Sequence, residues 1–170
     1  TIKDCRFRNN WIDISFIGAE NVLIEGNTLL SSTRDMSAAP TDEFDAGITS
    51  SLARNCRVVN NTAYDKRHSF DRQDYVSNNT FLGGEISYTA NDNYICDNTM
   101  INIYFRASTD AEANRVGYPT LIARNKINYT FSSGTQFFIV DYDKAGIFKD
   151  NEFRFNYFGN FSYLATANTD

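Results

Sequence analysis

The sequence lacks any apolar run that approaches the 18 or so residues of a transmembrane helix. Its apolar fraction of 42% is ordinary, so the chain is neither membrane-embedded nor disordered, and 170 residues suffice for one domain with a sizeable core. An initiator methionine and a signal-peptide pattern are also missing, and the chain opens on Thr1, already inside a repeated phrase. We therefore expect an excerpt of a longer protein that does not insert into a membrane.

Positive charge is also scarce. The chain has 16 Lys and Arg against 21 Asp and Glu, which gives a net charge of −5 at pH 7 and a pI of about 4.9. Binding of a nucleic-acid backbone needs clustered Lys and Arg, so we expect no nucleic-acid partner. One local basic patch could still hold an acidic sugar.

Cysteine and histidine are rare as well. Cys5, Cys56 and Cys96 each lie in or next to the repeated phrase, and no CxxC or Cys/His spacing indicates zinc. We interpret them as small buried thiols. His68 is the only histidine. We expect no cofactor and no bound metal, with Ca²⁺ kept as an alternative.

What the sequence does have is one short phrase that recurs: apolar, two residues, Asn, one residue, apolar. One copy reads Val76-Ser77-Asn78-Asn79-Thr80-Phe81. A degenerate first copy has Cys5 in place of the Asn, and the markers of the later copies are Asn27, Asn61, Asn79, Asn98, Asn125 and Asn151. Successive markers are 22, 34, 18, 19, 27 and 26 residues apart, a spacing that indicates a solenoid.

Each repeat divides into three short strands. One strand precedes the marker Asn, one follows it, and a third comes after a loop of variable length, as at 46–52. Asn tolerates a left-handed backbone, and its amide can bond to the same group one coil away, so the Asn residues would form a ladder. The sequence predicts an all-β, right-handed parallel β-helix of about six to seven coils in a single domain, 1–170, with long loops near 31–45 and 108–119.

The phrase, the coil length and the segment Asp45-Ala46-Gly47-Ile48 resemble the repeats of the pectin-lyase-like β-helix superfamily. That superfamily includes pectate lyases, polygalacturonases, alginate lyases and bacteriophage tailspike depolymerases, so the resemblance implies a carbohydrate ligand. It also places the binding groove along the third strand. The Asn-Thr-Asp, Asp-Asp, Gly-His-Gly and Arg-Ile-Lys motifs of polygalacturonases are not present as a set, so no catalytic residue carries over.

Candidate site residues follow from aligning the third strands on an inward apolar residue: Ile14, Ile48, Phe70, Ile86 and Phe105. Alternation then places Asp71, Glu85 and Arg106 outward on successive coils. Hydrolysis of a glycoside uses two carboxylates, and Asp71 and Glu85 are the predicted pair, with Asp45 as a third. The predicted substrate-binding residues are Arg106, His68, Arg72, Tyr104 and Lys66.

Other readings of the same residues remain open. A lyase would need a base, for which Lys66, Arg67, His68 and Arg106 are candidates, with Ca²⁺ held by Asp42, Glu43 and Asp45. The acids can equally be solvated surface charges, and the segment 65–68 can be a charged turn. Tyr88, Tyr104, Tyr118, Tyr142 and Trp11 are candidates to stack on sugar rings or to pack at edges and subunit contacts.

Two classes of function fit these observations. The first is a carbohydrate-active, tailspike-like β-helix that binds and cleaves a bacterial surface polysaccharide, as a glycoside hydrolase or a polysaccharide lyase. The second is a non-catalytic shaft, adhesin or receptor-binding segment of a larger assembly. Either implies an extracellular or virion-surface location, and the resemblance to tailspikes implies a homotrimer.

Overall fold

The computed structural model describes residues 1–8, 10–30, 46–89, 91–107, 119–132, 139–140 and 146–158. This part of the chain contains strands and no helix, so the expected all-β class is confirmed. The strands are β1 (Ile2–Lys3), β2 (Arg6–Arg8), β3 (Ile12–Ile17), β4 (Leu23–Glu25), β5 (Thr28–Leu30), β6 (Ala46–Ser51), β7 (Arg57–Val59), β8 (Thr62–Phe70), β9 (Tyr75–Ser77), β10 (Thr80–Tyr88), β11 (Tyr94–Cys96), β12 (Thr99–Ile101), β13 (Tyr104–Ala107), β14 (Thr120–Ala123), β15 (Lys126–Ser132), β16 (Ile139–Val140), β17 (Gly146–Lys149) and β18 (Glu152–Phe158). Accordingly, the described residues contain no helix long and apolar enough to cross a membrane.

The strands form two stacked parallel sheets. The first-strand sheet has the order β1-β4-β7-β9-β11-β14-β17. The other sheet runs β2-β5-β8-β10-β12-β15-β18, with β3, β6, β13 and β16 attached beside this path. Neighbours in each sheet come from successive repeats and are parallel, as in β7 with β9. The expected architecture of stacked parallel strands is therefore confirmed.

The core lies between the sheets because each short strand points its middle residue inward. In the first-strand sheet these residues are in register from coil to coil and form the column Ile24, Val58, Val76, Ile95, Ile122 and Phe148. All six are buried. Full burial of one such side chain stabilises the fold by about 1.5–3 kcal/mol, so a stack of them sets the register strongly.

The turn after the first-strand sheet explains the repeated phrase. The residue before each marker adopts a left-handed backbone; Asn78, for example, has φ 55°. The six marker asparagines stack, and each side-chain amide donates to the side-chain oxygen of the next asparagine at 3.0 Å. Backbone N–H groups of the markers donate to the same oxygens, beginning with Cys5 N to Asn27 Oδ1 at 2.9 Å. Buried polar groups at the turn are thereby satisfied.

A second polar column lies at the turn that leads back into the first-strand sheet. The Cys56 N–H donates to Asp74 Oδ1 at 3.2 Å, the Asp74 N–H to Asn93 Oδ1 at 3.0 Å, and Asn93 Nδ2 to Thr120 Oγ1 at 3.1 Å. Burial raises the pKa of Asp74 and raises that of the Cys56 thiol to about 11. Cys56 and Cys96 are buried free thiols, as interpreted from the sequence, whereas Cys5 is exposed.

The corner between the second and third strands fixes which side chains face the core. Asp65 has φ 51° and lies beside the glycine pair Gly83 and Gly84, which have φ 74° and 99°. A Cβ on Gly84 would lie 2.1 Å from the backbone oxygen of Lys66, so only glycine fits there. After this corner the register pairs Ile86 with His68 and with Phe105.

The alignment of Phe70 with Ile86 was therefore wrong by two residues. Phe70 pairs with Tyr88 instead. The sequence predicts the register from one inward apolar residue in each strand, and in β8 that residue, Phe70, does not pair with Ile86. The structure instead sets the register at the corner, where the left-handed Asp65 restarts the alternation of inward and outward positions.

Candidate functional site

The outward side of the third strands, which we call the third-strand face, carries two columns of side chains that run from coil to coil. The first column is Ile12, Ala46, Arg67, Glu85 and Tyr104. The second is Ser15, Thr49, Ser69, Ser87 and Arg106. The structure thus brings together Glu85, Tyr104 and Arg106 of the predicted site residues.

Glu85 lies at the centre of the first column, between Arg67 and Tyr104. Its Oε1 is 3.5 Å from Arg67 Nε, and the Glu85 side chain is only 7% exposed, against 32% for Arg67. Because the pair is shielded from solvent on the acid's side, its attraction is stronger than that of a fully exposed pair. The sequence offers Arg67 as a lyase base but does not predict that it pairs with Glu85, because Phe70 is aligned with Ile86 instead of Tyr88.

The second column is a row of small hydroxyls that ends on a guanidinium. Ser15 is exposed, and Thr49, Ser69 and Ser87 are half-buried, with one hydroxyl donor and acceptor per coil. Arg106 is half-buried and has no hydrogen bond or ion pair to any other described residue. The column therefore offers hydroxyl groups about 4.8 Å apart and one cation that has no partner among the described residues.

Asp71 does not lie beside Glu85, so the predicted carboxylate pair is not formed. Glu85 pairs with Arg67, and Asp71 is four residues further along the chain, roughly 13 Å away in an extended strand. That distance exceeds the separation used by glycoside hydrolases. Asp71 instead belongs to a turn, where its Oδ2 accepts the Leu52 N–H at 2.6 Å. Asp45, the third acid, lies outside the described residues.

Lys66 faces the core, although it was predicted to bind substrate. Its Nζ is 3.1 Å from Asp13 Oδ2, and neither side chain is exposed. The same Nζ donates to the Asn10 carbonyl at 3.2 Å. Asp13 was expected to point outward, but its side chain is also buried. A Cβ on Gly47, on the intervening strand, would lie 3.0 Å from Lys66 Cβ, so the glycine leaves room for the Lys66 side chain.

His68 also lies in the core. Its Nδ1 accepts the Ile48 N–H at 3.2 Å, and its ring packs 4.8 Å from that of Phe81. Burial, helped by the charge of Lys66, lowers its pKa to about 3, so the imidazole is neutral near pH 7. A Cβ on Gly47 would lie 2.6 Å from His68 Cε1, so the ring occupies the space a side chain would fill. From the core, neither His68 nor Lys66 can contact a ligand on the third-strand face.

Two further candidates also lie away from this face. Arg72 lies in the turn after β8, where its backbone forms a parallel β-bridge with that of Arg54. Its Nε is buried without a hydrogen-bond partner in the described part of the chain. Tyr88, expected to be exposed, is fully buried. Trp11 is 81% exposed, as its role in stacking would require. Tyr118 and Tyr142 lie outside the described residues.

Within the described ranges, no group of three or more His, Cys, Asp or Glu side chains could hold a metal ion. The acidic run considered for Ca²⁺, namely Asp42, Glu43 and Asp45, lies outside those ranges.

The described third-strand face offers one acid, two cations, a phenol and a row of hydroxyls. Such a set can bind a hydroxyl-rich, extended ligand through hydrogen bonds and charge.

Comparison with protein-family models, with curated proteins and with solved structures found no match to this chain.

Proposed function

We propose that this chain is a right-handed parallel β-helix of about six to seven coils with an asparagine ladder, similar to the pectin-lyase-like superfamily, and that its third-strand face binds a polysaccharide. The parallel pairing of successive repeats supports the architecture. The continuous amide-to-amide bonds between marker asparagines support the ladder. An extracellular or virion-surface location and a homotrimeric assembly belong to the same proposal and rest on the resemblance to tailspikes.

The observation that carries the binding function is the second column of the third-strand face. It presents Ser15, Thr49, Ser69 and Ser87 in register and leads to Arg106. A ligand that uses one hydroxyl per coil must itself be linear and repeat regularly along the solenoid. A polysaccharide has that shape and carries hydroxyls at every unit.

Binding, rather than cleavage, is the function that the described residues support. Hydrolysis through paired carboxylates needs a second acid within about 10 Å of Glu85. Asp71 is too far along the strand, and Asp45 lies outside the described residues. A lyase that uses Arg67 or Arg106 as its base would need the acidic group of its substrate neutralised nearby.

The test is to titrate the protein with polygalacturonate and with dextran, as acidic and neutral probes, by calorimetry. Arg106→Ala and Tyr104→Ala should each weaken binding roughly tenfold, because each removes a contact from the face. Arg8→Ala, an exposed cation on β2, is the matched control and should bind like the wild type. If the wild type releases new reducing ends or unsaturated products from the probe, and the Glu85→Gln variant does not, the site also cleaves the polysaccharide that it binds. Unchanged affinity in both face variants would exclude this site.

The second candidate function is a non-catalytic shaft or adhesin segment. It is favoured by exposed apolar side chains in the first coils. Ile17 is 74% exposed and Leu52 62% exposed, and Ser51, next to Leu52, is the register partner of Ile17. Large apolar side chains that are exposed at neighbouring positions of adjacent strands are typical of subunit contacts. Absence of binding of the wild type to any polysaccharide would favour this candidate.

A further inference from the structure

The outward side of the first-strand sheet carries a column of large side chains that no part of the proposed site uses. The register places these side chains one per coil, in the order Leu23, Arg57, Tyr75, Tyr94, Leu121 and Ile147. Tyr75 is 38% exposed, Tyr94 47% and Ile147 50%. We call this set the tyrosine column. It was not found from the sequence, because single tyrosines in three-residue strands give no pattern until the register is known.

The tyrosine column is bordered by a row of small side chains and, beyond that row, by charged side chains. The Arg57 guanidinium carbon lies 5.9 Å from the centre of the Tyr75 ring. The neighbouring outward positions hold small, buried residues, Ser77, Cys96 and Ala123. Beyond them Arg124 makes a two-bond ion pair with Asp97 at 2.8 and 2.7 Å. The rings therefore stand above a floor of small side chains, with hydrogen-bonding groups along the edge.

We infer that the tyrosine column is a second carbohydrate-binding surface, on which a polysaccharide chain lies along the solenoid. The apolar faces of its sugar rings pack on Tyr75, Tyr94 and Leu121. Its hydroxyls bond to Arg57 and to the Asp97–Arg124 pair. This inference rests on the proposed binding of a polysaccharide, but it uses a different sheet and different residues.

The dimensions of the column favour a polysaccharide over a protein partner. A stable protein interface buries about 800 Å² on each side, far more than a single line of half-exposed side chains can offer. A peptide that added itself as a strand would need an open strand edge. β9 and β11 have none, since each is paired on both sides.

The chemistry of the column points the same way. The side chains repeat every coil, about 4.8 Å apart, so the ligand must be linear and regular. It must also present apolar faces to the rings and hydroxyls to the charged edge. A chain of pyranose rings meets both requirements.

The experiment uses the same polygalacturonate and dextran titrations, with the double variant Tyr75→Ala/Tyr94→Ala. Loss of both rings should raise the Kd roughly 3- to 10-fold for the probe that binds. Tyr64→Ala is the matched control, because Tyr64 is 37% exposed on the other sheet. In fluorotyrosine-labelled protein, the resonances of Tyr75 and Tyr94 should shift on addition of the probe, and that of Tyr64 should not.

The outcomes separate the two proposals. If Arg106→Ala weakens binding and the double tyrosine variant does not, the tyrosine column is excluded and the third-strand face stands. If only the double variant weakens binding, the third-strand face is excluded and the tyrosine column stands. Wild-type protein that binds neither probe overturns both. A wild type that self-associates, with a double variant that is monomeric, would make the column a contact between copies and overturn the inference.

Discussion

The asparagine at each turn is needed because of what its neighbours in the stack require. Asn79 accepts the Asn61 N–H at 2.8 Å through its side-chain oxygen and donates to the Val58 carbonyl at 2.8 Å. It is 1% exposed, so water cannot replace these bonds. An alanine there would leave the Asn61 N–H buried without an acceptor, which is more costly than losing an exposed hydrogen bond.

Asn79→Ala should therefore destabilise the protein by about 3 kcal/mol, since a buried donor and a buried acceptor lose their partner together. Urea unfolding followed by circular dichroism measures the change. Asn78→Gly is the control: Asn78 is exposed and has φ 55°, a conformation that glycine adopts freely. Equal stability of the Asn79→Ala protein and the wild type would show that the amide bonds contribute nothing net.

Local turn chemistry made these asparagines predictable. Alternation counted back from the inward Phe70 also places His68 and Lys66 inward, although both were predicted to bind substrate. The Asn phrase carries its own explanation, because the left-handed turn and the side-chain amide are both properties of nearby residues. Whether Lys66 and His68 face in or out depends on a single left-handed residue, Asp65, at the corner. Counted forward from the inward Ala63, Lys66 and His68 would face outward, but the left-handed Asp65 reverses this. Asp13 and Gly47, from other coils, then accommodate the two side chains inside.

At the scale of elements, the buried Lys66–Asp13 pair connects strands that are not neighbours. Lys66 lies on β8 and Asp13 on β3, while Gly47 on β6 lies between them. With both side chains fully buried, the charges attract strongly but have also lost their water. Removing one partner leaves the other buried and uncompensated, whereas removing both takes away the desolvation penalty as well.

Lys66→Met should thus destabilise the protein by about 3–5 kcal/mol, and the double variant Asp13→Leu/Lys66→Met should recover much of that loss. Thermal or urea unfolding of the two single variants and the double variant completes a cycle that isolates the coupling. Arg124→Met, which breaks the exposed pair with Asp97, should change stability little. Additive effects in the cycle would mean that the two side chains do not interact across β6.

Register between elements also decides how much of the candidate site could be foreseen. Glu85, Tyr104 and Arg106 were placed on one face correctly, because the strands that bear them pair without a shift. Asp71 was placed beside Glu85 wrongly, because an error of two residues keeps a side chain on the same face but moves it along the strand. Alternation predicts the face, whereas the position along it depends on pairing with the next coil.

At the scale of the whole molecule, the stacked parallel sheets enclose a titratable group, His68, whose pKa is lowered to about 3. Side chains between the two sheets are covered by the strands around them, so a group buried there is shielded from water. His68 is fully buried, with Lys66 nearby and the Ile48 N–H directed at its Nδ1. Protonation of this ring would place a second positive charge beside the Lys66 ammonium and would displace the Ile48 hydrogen bond.

Acid should consequently destabilise the protein through His68. The unfolded chain takes up a proton near pH 6.5, but the folded chain does not do so until about pH 3. Between these values the unfolded state binds more protons, so the free energy of unfolding falls as pH falls, by at most about 1.4 kcal/mol per pH unit. The contribution of His68 is complete above pH 6.5 and is lost progressively below it.

Urea unfolding at several pH values from 4 to 7 measures this slope, with His68→Asn as the comparison. The asparagine keeps an acceptor near the position of Nδ1 but does not titrate, so its slope should be shallower by about one proton. Asp74, whose pKa burial raises, acts in the opposite sense: it favours the fold as pH falls through the acid range. Because Asp74 is present in both proteins, its contribution cancels in the difference. Parallel pH profiles of the two proteins would mean that His68 gains a proton in the folded chain as readily as in the unfolded one.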